Sequence, residues 1–170
     1  MAVSPSANRL DFTPIRCNCL IDYDIACYYI VIIFIFTMGS HHISQNIFDN
    51  NCLLLNLVSY NLHGINQGFP AIRDIIASHN PDIFLLQEHW LTPDNLSTFS
   101  RLFPDYFHYG TSAMSSDVSR GVLRGRPYGG VSFLISNKLI AITTCIASCE
   151  RYAVIKVNNC LIINVYLPCK

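Results

Sequence analysis

Two apolar segments separated by an amphipathic one constrain the fold of this chain more than any other feature. The first, Leu53 to His63, is almost continuously apolar at its start, as expected for a central β-strand covered on both faces. Pro70 can occupy the first turn of a following helix, and an Asn-Pro pair at 80–81 would end it. The second strand is predicted in "DIFLLQEHWL", residues 82–91. This βαβ pattern brings the C-terminal ends of both strands to one edge of a sheet.

The rest of the chain alternates further predicted elements with turns. A second helix is predicted from the capping residue Thr92, with Pro93 at its first position, and it ends before Pro104. The segment 106–128 is polar and contains glycine, which predicts a flexible loop. Four strand-like segments follow, with a two-residue turn at 158–159: "GGVSFLIS", "LIAITTCIA", "RYAVIKV" and "CLIINVYL". The pattern predicts an α+β domain whose last part is an antiparallel meander.

Composition limits the size of the domain but does not identify a ligand. The 170 residues are 51% hydrophobic, which is enough for one sizeable domain with its own core. Eleven basic and eleven acidic side chains balance, so a nucleic-acid partner has to be argued from a local site. The eight cysteines lack the spacing and the histidine partners of a zinc site. Function must therefore be inferred from individual residues.

Residues 1–50 show no periodicity that continues into the rest of the chain. They contain one apolar segment, 25–38, which is shorter than the ~20 residues that span a bilayer. We interpret 1–50 as a leader or non-native extension, and 51–170 as the folded domain. A membrane anchor is the second interpretation of the apolar segment, and its β-branched and aromatic residues would also suit a strand.

Polar side chains stand at the ends of both strands of the βαβ unit. Glu88 follows an apolar run, where a carboxylate is costly to bury unless a positive charge compensates it. Hard ions such as Mg²⁺ bind carboxylate oxygens while they keep several waters. On the strand pattern alone a solvated Glu88 is favoured, but Asn61 and His63 fall on one face at the end of the neighbouring strand. Together the three residues predict a site at this sheet edge, in which His63 contacts phosphate or supports a ligand, or is a structural histidine.

Further candidate residues lie near the end of the chain and in the predicted loop. Tyr166 ends the last strand, and its hydroxyl can donate to a phosphate oxygen, although it would also suit a half-buried structural position. Three arginines of the predicted loop can make salt-sensitive phosphate contacts or form a solvated surface: Arg120, Arg124 and Arg126.

Four ordered motifs carry a resemblance to a known family: "VSYNLHGIN", "PDIFLLQEHWL", "RPYGGVSFLIS" and "LIINVYLP". They resemble the N-terminal half of the endonuclease/exonuclease/phosphatase superfamily, and most of all the apurinic-type endonuclease domains of LINE-type non-LTR retrotransposons. The resemblance implies an incomplete four-layered αββα sandwich, a Mg²⁺ (or Mn²⁺) site, DNA as partner and a nuclear location. By motif it assigns catalytic roles to Asn61, Glu88 and Tyr166, with Glu88 as metal ligand.

Family members continue past the tyrosine strand with "GDFN"-like and "SDH" motifs, which this chain lacks. The expectation is therefore a fragment that is inactive alone and associates with the missing C-terminal segment of the same fold. One alternative is a superfamily member that acts on phospholipid, inositol phosphate or RNA. Another is a non-enzymatic, membrane-tethered interaction protein that uses segment 25–38.

Overall fold

A computed structural model describes residues 18–21, 28–35, 55–121, 125–158 and 160–167. The strands in these residues are β1 (Asn18–Ile21), β2 (Tyr28–Ile35), β3 (Asn56–Asn61), β4 (Ile83–Gln87), β5 (Tyr106–Thr111), β6 (Val131–Ser136), β7 (Thr143–Ser148), β8 (Tyr152–Val157) and β9 (Cys160–Leu167). The α-helices are α1 (Ile65–His79), α2 (Thr98–Leu102) and α3 (Ser115–Ser119), and 3₁₀ turns occur at Pro93–Asn95 and Asn137–Ile142. The predicted α+β class is confirmed.

The strands form two sheets. The first has the order β1-β3-β4-β6-β5, in which β1, β3 and β4 are parallel and the other two pairings are antiparallel. The second has the order β2-β9-β8-β7 and is antiparallel throughout. The predicted meander is therefore split, because β6 joins the first sheet while β7, β8 and β9 form the second.

Buried side chains hold the layers together. One core lies between the sheets and includes Leu57, Leu85, Phe133, Ile155 and Ile162. A second core joins the other face of the first sheet to α1 and α2 and includes Val58, Ile72, Phe84, Leu86 and Phe99. The described residues thus form a helical layer, a sheet and a second sheet, which is part of the predicted αββα sandwich.

The βαβ unit is confirmed, but its first strand is shorter than predicted. β3 and β4 pair in parallel with Asn61 opposite Gln87, and both strands end at this pair. His63 and Glu88 have φ values of 46° and 54°, so the chain leaves the extended conformation immediately after each strand. The prediction that the strand includes His63 is therefore wrong, while its predicted first residues, 53 and 54, lie outside the described residues.

Helix α1 begins at Ile65, so the prediction that Pro70 opens it is wrong. The carbonyl of Gly64 accepts the N–H groups of Gln67 and Gly68, each at 3.0 Å, so the first turn forms before Pro70 is reached. Inside the helix the proline removes one backbone hydrogen bond. The predicted end is confirmed, because Asn80 has left-handed backbone angles and closes the helix.

The second predicted helix and the predicted loop also differ from the structure. The helix forms as a 3₁₀ turn followed by α2, and it ends before Pro104 as expected. The segment 106–128 is not one flexible loop, because β5 pairs with β6 and α3 follows. The aromatic side chains of Tyr106, Phe107 and Tyr109 favour a strand there.

The N-terminal part of the chain contributes a strand to each sheet. β1 pairs with β3, and β2, which lies in the apolar segment 25–38, pairs with the whole of β9. Within the described ranges no helix is long and apolar enough to cross a membrane. The division of the chain at residue 50 stays a prediction.

Candidate active site

The candidate site begins where β3 and β4 end. Parallel backbone pairing continues past both strands, as the N–H of Leu62 donates to the carbonyl of Gln87 at 2.9 Å and that of Gly64 to Glu88 at 2.8 Å. His63, Glu88 and Trp90 all have positive φ although none is glycine. Such conformations are unfavourable, and they cluster where the surrounding structure holds a functional group in place. The segments that follow β3 and β4 are therefore fixed relative to each other.

Glu88 lies at the base of the Glu88 cleft, which we define by its lining residues: Glu88, Trp90, Arg126, Pro127, Tyr128, Gly129, Arg151 and Tyr166. This cleft has a volume of about 420 Å³. The Glu88 side chain is only 9% exposed, and its Oε2 lies 3.2 Å from Nδ1 of His63. The structure thus brings together the predicted carboxylate and the predicted imidazole.

Asn61 supports the turn that carries His63. Its Oδ1 accepts the backbone N–H of His63 at 3.0 Å, and the residue is half-buried at the end of β3. Asn61 is absent from the lining of the Glu88 cleft. In this structure its contact therefore orients His63, and its predicted catalytic role stays a prediction.

Tyr166 reaches the cleft from the second sheet through a buried polar link. Gln87 Nε2 donates to Oδ1 of Asn164 at 2.6 Å, and Asn164 Nδ2 donates to the carbonyls of Leu86 at 3.1 Å and Ser132 at 2.9 Å. These bonds join the two sheets directly behind Glu88. Alternate residues of β9 face inward, so Tyr166 is buried two positions after Asn164 and lines the cleft.

The three candidate arginines have different surroundings. Arg126 lines the Glu88 cleft, and its guanidinium lies 5.3 Å from the centroid of the Trp90 ring. Arg120 instead forms an ion pair with Asp117 at 2.8 Å and is absent from the cleft lining. Arg124 lies outside the described residues. The structure therefore places only one of the two described candidates beside Glu88.

Sequence reasoning missed five of the eight residues that line the cleft, among them Arg151 and Trp90. Arg151 lines it because the N–H of Tyr166 donates to the carbonyl of Arg151 at 2.8 Å, which brings the start of β8 beside the end of β9. The β8–β9 hairpin was predicted, and its register could have located Arg151 opposite Tyr166. Trp90 had no such signal, because its position depends on an irregular backbone conformation.

His89 and His108 lie behind the site and have structural surroundings. The ring of His89 is fully buried; Nδ1 accepts the N–H of Leu91 at 3.0 Å, and Nε2 lies 3.3 Å from the carbonyl of Thr111. Burial lowers the pKa of His89 to about 4, and it likewise lowers the pKa of His108 to about 4. Both rings therefore pack as neutral groups near pH 7.

A divalent cation fits this site only with few protein ligands. Among the described residues no three or more histidine, cysteine, aspartate or glutamate side chains cluster so that they could hold a metal ion. Mg²⁺ is commonly held by one or two carboxylates together with water and substrate phosphate. Glu88 supplies one such carboxylate at the cleft, which suits that mode of binding and does not suit an all-protein cage.

Comparison with known proteins identifies the family. The Endonuclease/Exonuclease/phosphatase family matches residues 58–163, which include most of β3, all of α1 and β4, and the first half of β9. The chain belongs to this family. The predicted superfamily is thereby confirmed, and the family as a whole is generally dependent on divalent metals.

Two solved structures are similar to this family member. One is a 3′ phosphatase from Neisseria bound to a product DNA hairpin, with 16% identity and a TM-score of 0.41. The other is a 3′-5′ exonuclease from Neisseria meningitidis, with 15% identity and a TM-score of 0.40. In each case the alignment covers 59% of this chain and 37% of the other chain. No curated protein matches at a significant level.

Proposed function

We propose that this chain carries one side of the active site of a divalent-metal-dependent phosphodiesterase that acts on DNA. The observation that supports it is the Glu88 cleft, which is lined by a buried carboxylate together with two arginines and a tyrosine. Within the described residues neither Arg126 nor Arg151 forms an ion pair. A phosphodiester with its bound cation would match these charges.

Each residue of the cleft has a distinct part in this proposal. Glu88 would hold Mg²⁺ (or Mn²⁺), which when bound would polarise the scissile phosphate. His63 orients the Glu88 carboxylate through the 3.2 Å contact. The hydroxyl of Tyr166 donates to a phosphate oxygen, and the two guanidinium groups bind the remaining phosphate charge.

DNA is preferred to the other substrates of the family on the basis of two motifs. "QEHWL" at 87–91 and "GRPYGGV" at 125–131 resemble the endonuclease domains of LINE-type retrotransposons, and both contribute residues to the cleft. We infer that the chain derives from such an endonuclease, with an intracellular, nuclear location. Phospholipid, inositol phosphate and RNA remain competitors in the test, whereas no described feature favours a membrane-tethered interaction protein.

Catalysis by the isolated chain should be weak. The described residues place a single carboxylate at the cleft and no neighbouring aspartate that could activate a water. We therefore propose that a further segment of the family fold completes the site and supplies the general base.

Binding of Mn²⁺ tests this function independently of turnover. Electron paramagnetic resonance of the full chain should show Mn²⁺ binding that weakens at least about tenfold in Glu88→Gln, because a carboxylate ligand is lost. Asp94→Asn is the matched control, since it removes an exposed carboxylate from the 3₁₀ turn outside the cleft. Plasmid DNA, RNA and a phosphoinositide are then assayed side by side with Mg²⁺.

We expect weak nicking of plasmid that Glu88→Gln abolishes and Asp94→Asn leaves unchanged. Mn²⁺ binding that is the same in all three proteins would contradict the assignment of Glu88. Faster turnover of the phosphoinositide than of plasmid would contradict DNA as substrate, and efficient nicking by the isolated chain would contradict the need for a completing segment.

A further inference from the structure

A second cleft adjoins the Glu88 cleft and shares a wall with it. This helix cleft has a volume of about 270 Å³ and is lined by His63, Gly64, Ile65, Asn66, Gln67, His89, Trp90, Arg126 and Pro127. Three of these residues also line the Glu88 cleft: Trp90, Arg126 and Pro127. A group bound in either cleft would therefore lie beside the same guanidinium.

Trp90 is fixed by its backbone and by its neighbour. The backbone N–H of Trp90 donates to the carbonyl of Gly129 at 3.0 Å. A methyl group added to Gly64 would lie 2.6 Å from Cε3 of the indole, so the ring packs directly against the Gly64 backbone. The Arg126 guanidinium lies over this ring at 5.3 Å, a cation–π distance. The exposed Arg126 side chain is therefore held at the wall although it forms no ion pair in the described residues.

The charges of the two clefts are complementary to a chain of phosphates. The lining of the helix cleft contains one arginine and no carboxylate. The lining of the Glu88 cleft contains one carboxylate and two arginines, so it can accept a phosphate together with a cation. Because a guanidinium presents several N–H donors in a planar fork, one arginine can bind two anions on different sides.

We propose that Arg126, held on Trp90, bridges two successive phosphates of a polynucleotide strand, the scissile one in the Glu88 cleft and its neighbour in the helix cleft. This rests on the proposed phosphodiesterase function and assigns to the site a strand of nucleic acid. With about 270 Å³, the helix cleft falls just below the ~300 Å³ typical of an independent small-molecule site, and this size suits an extension that holds part of a longer ligand. A small phosphate ester would occupy the Glu88 cleft alone.

The fluorescence of Trp90 makes this testable without turnover. The chain contains one tryptophan, so quenching of its emission reports on the wall between the clefts. The full chain is titrated in EDTA with a thymidine dinucleotide and with its 5′- and 3′-phosphorylated forms. One added terminal phosphate should tighten binding about tenfold, the value of a charged hydrogen-bonded contact. In Arg126→Ala the added phosphate should leave the affinity unchanged, a ratio of about one.

Arg120→Ala is the matched control, because it removes an arginine that is paired with Asp117 and lies outside both cleft linings. It should keep the tenfold gain, and Arg126→Lys should keep part of it, which separates loss of the contact from misfolding. An equal gain in the wild type and in Arg126→Ala would overturn the bridge, and so would competition by inositol phosphate as strong as that of the phosphorylated dinucleotide. These outcomes are distinct from those of the Mn²⁺ experiment, since no metal is present.

Discussion

Two buried carboxylates flank strand β4 and have different surroundings. Asp82, directly before the strand, has a side chain that is 11% exposed; its Oδ2 accepts the N–H of Asn56 at 2.8 Å, and its Oδ1 lies 2.6 Å from Nζ of Lys138. Glu88, directly after the strand, is 9% exposed and contacts the imidazole of His63. The two groups are thus equally buried at opposite ends of one strand.

The two carboxylates differ in their partners and in whether they line a cleft. Asp82 binds a backbone amide and an ammonium group of its own chain, so its charge serves to fasten β3 and the 3₁₀ turn Asn137–Ile142 to β4. Glu88 opens to a cleft that holds two arginines. Burial of a carboxylate therefore does not by itself identify a functional residue. The identity of its partners and the presence of a cleft distinguish the two ends.

The largest loss of folding stability is expected from a substitution close to Glu88, at the C-terminal end of β4. Gly130 has a φ of +94°, and a Cβ there would lie 2.2 Å from Nε2 of the buried His89 ring. Gly130→Ala should destabilise the fold by more than about 4 kcal/mol, because both the backbone and the packing oppose the new methyl group. Urea unfolding followed by circular dichroism measures this.

Gly125 provides the control for the backbone contribution. Its φ is +91°, but no atom of the described residues lies within 4 Å of an added Cβ. Gly125→Ala should therefore cost about 1 kcal/mol, the penalty of the left-handed conformation alone. Similar losses in the two variants would show that the loop behind Glu88 is not held as tightly as the structure indicates.

Acid should destabilise the whole fold through the histidines behind Glu88. The pKa values of His89 and His108 are lowered to about 4 from the usual 6.5, so the unfolded chain binds more protons than the native one between these values. The free energy of unfolding is therefore highest above pH 6.5, where both histidines are neutral in either state. It falls as the pH drops from 6.5 towards 4, because protons bind the unfolded chain first. Between pH 7 and pH 5 the loss should be about 2 kcal/mol per histidine, or roughly 4 kcal/mol for both.

Urea unfolding at several pH values gives this loss, and nuclear magnetic resonance of the imidazole protons gives the pKa of each ring. An unfolding free energy that stays constant from pH 7 to pH 5 would contradict the burial of these rings. The expected decline also means that metal binding and nicking should be compared at neutral pH, where the native state is most populated.

Much of the fold could be predicted because it depends on local patterns. The apolar run that became β4, the left-handed Asn80 that ends α1 and the pairing of Val157 with Cys160 in the β8–β9 hairpin all follow from residue type and spacing. The start of α1 could not be predicted, because the N-cap is Gly64, whose φ of 92° leaves no residue-type signal, and not a residue next to Pro70. Tyr106–Thr111 was missed as a strand although its aromatic residues favour one, because the polar, glycine-containing sequence that follows it predicted a loop.

Only the part of the site that belongs to the βαβ unit could be predicted from the sequence. Glu88 and His63 lie just after neighbouring strands of the βαβ unit, so their proximity follows from the parallel pairing of those strands. Tyr166 was assigned by resemblance, and its approach depends on the buried link between Gln87 and Asn164, which joins residues far apart in the sequence. Such contacts between sheets leave no periodic signal in a single sequence.

Matched amide substitutions test the comparison of the two carboxylates directly. Asp82→Asn should lower the free energy of unfolding by about 2 kcal/mol, since a buried charged acceptor loses its ammonium partner and weakens its bond to Asn56. Glu88→Gln should change it by less than about 1 kcal/mol, because the loss of the His63 contact is offset by removal of a buried charge. Urea unfolding at pH 7 measures both. A larger loss for Glu88→Gln would mean that the Glu88 carboxylate, like that of Asp82, is primarily structural.

The smallest effect should come from Lys138, the exposed half of the Asp82 pair. Its side chain is 57% exposed, so most of its charge remains in contact with water and salt. Lys138→Met should therefore cost about 0.5 kcal/mol, and the loss should shrink further at high salt. The difference between this value and the loss in Asp82→Asn measures how much of the stabilisation comes from the Asn56 N–H. If Lys138→Met lowered the free energy of unfolding as much as Asp82→Asn, the ion pair would provide most of the stabilisation by Asp82. The hydrogen bond from the Asn56 N–H to Asp82 would then contribute little.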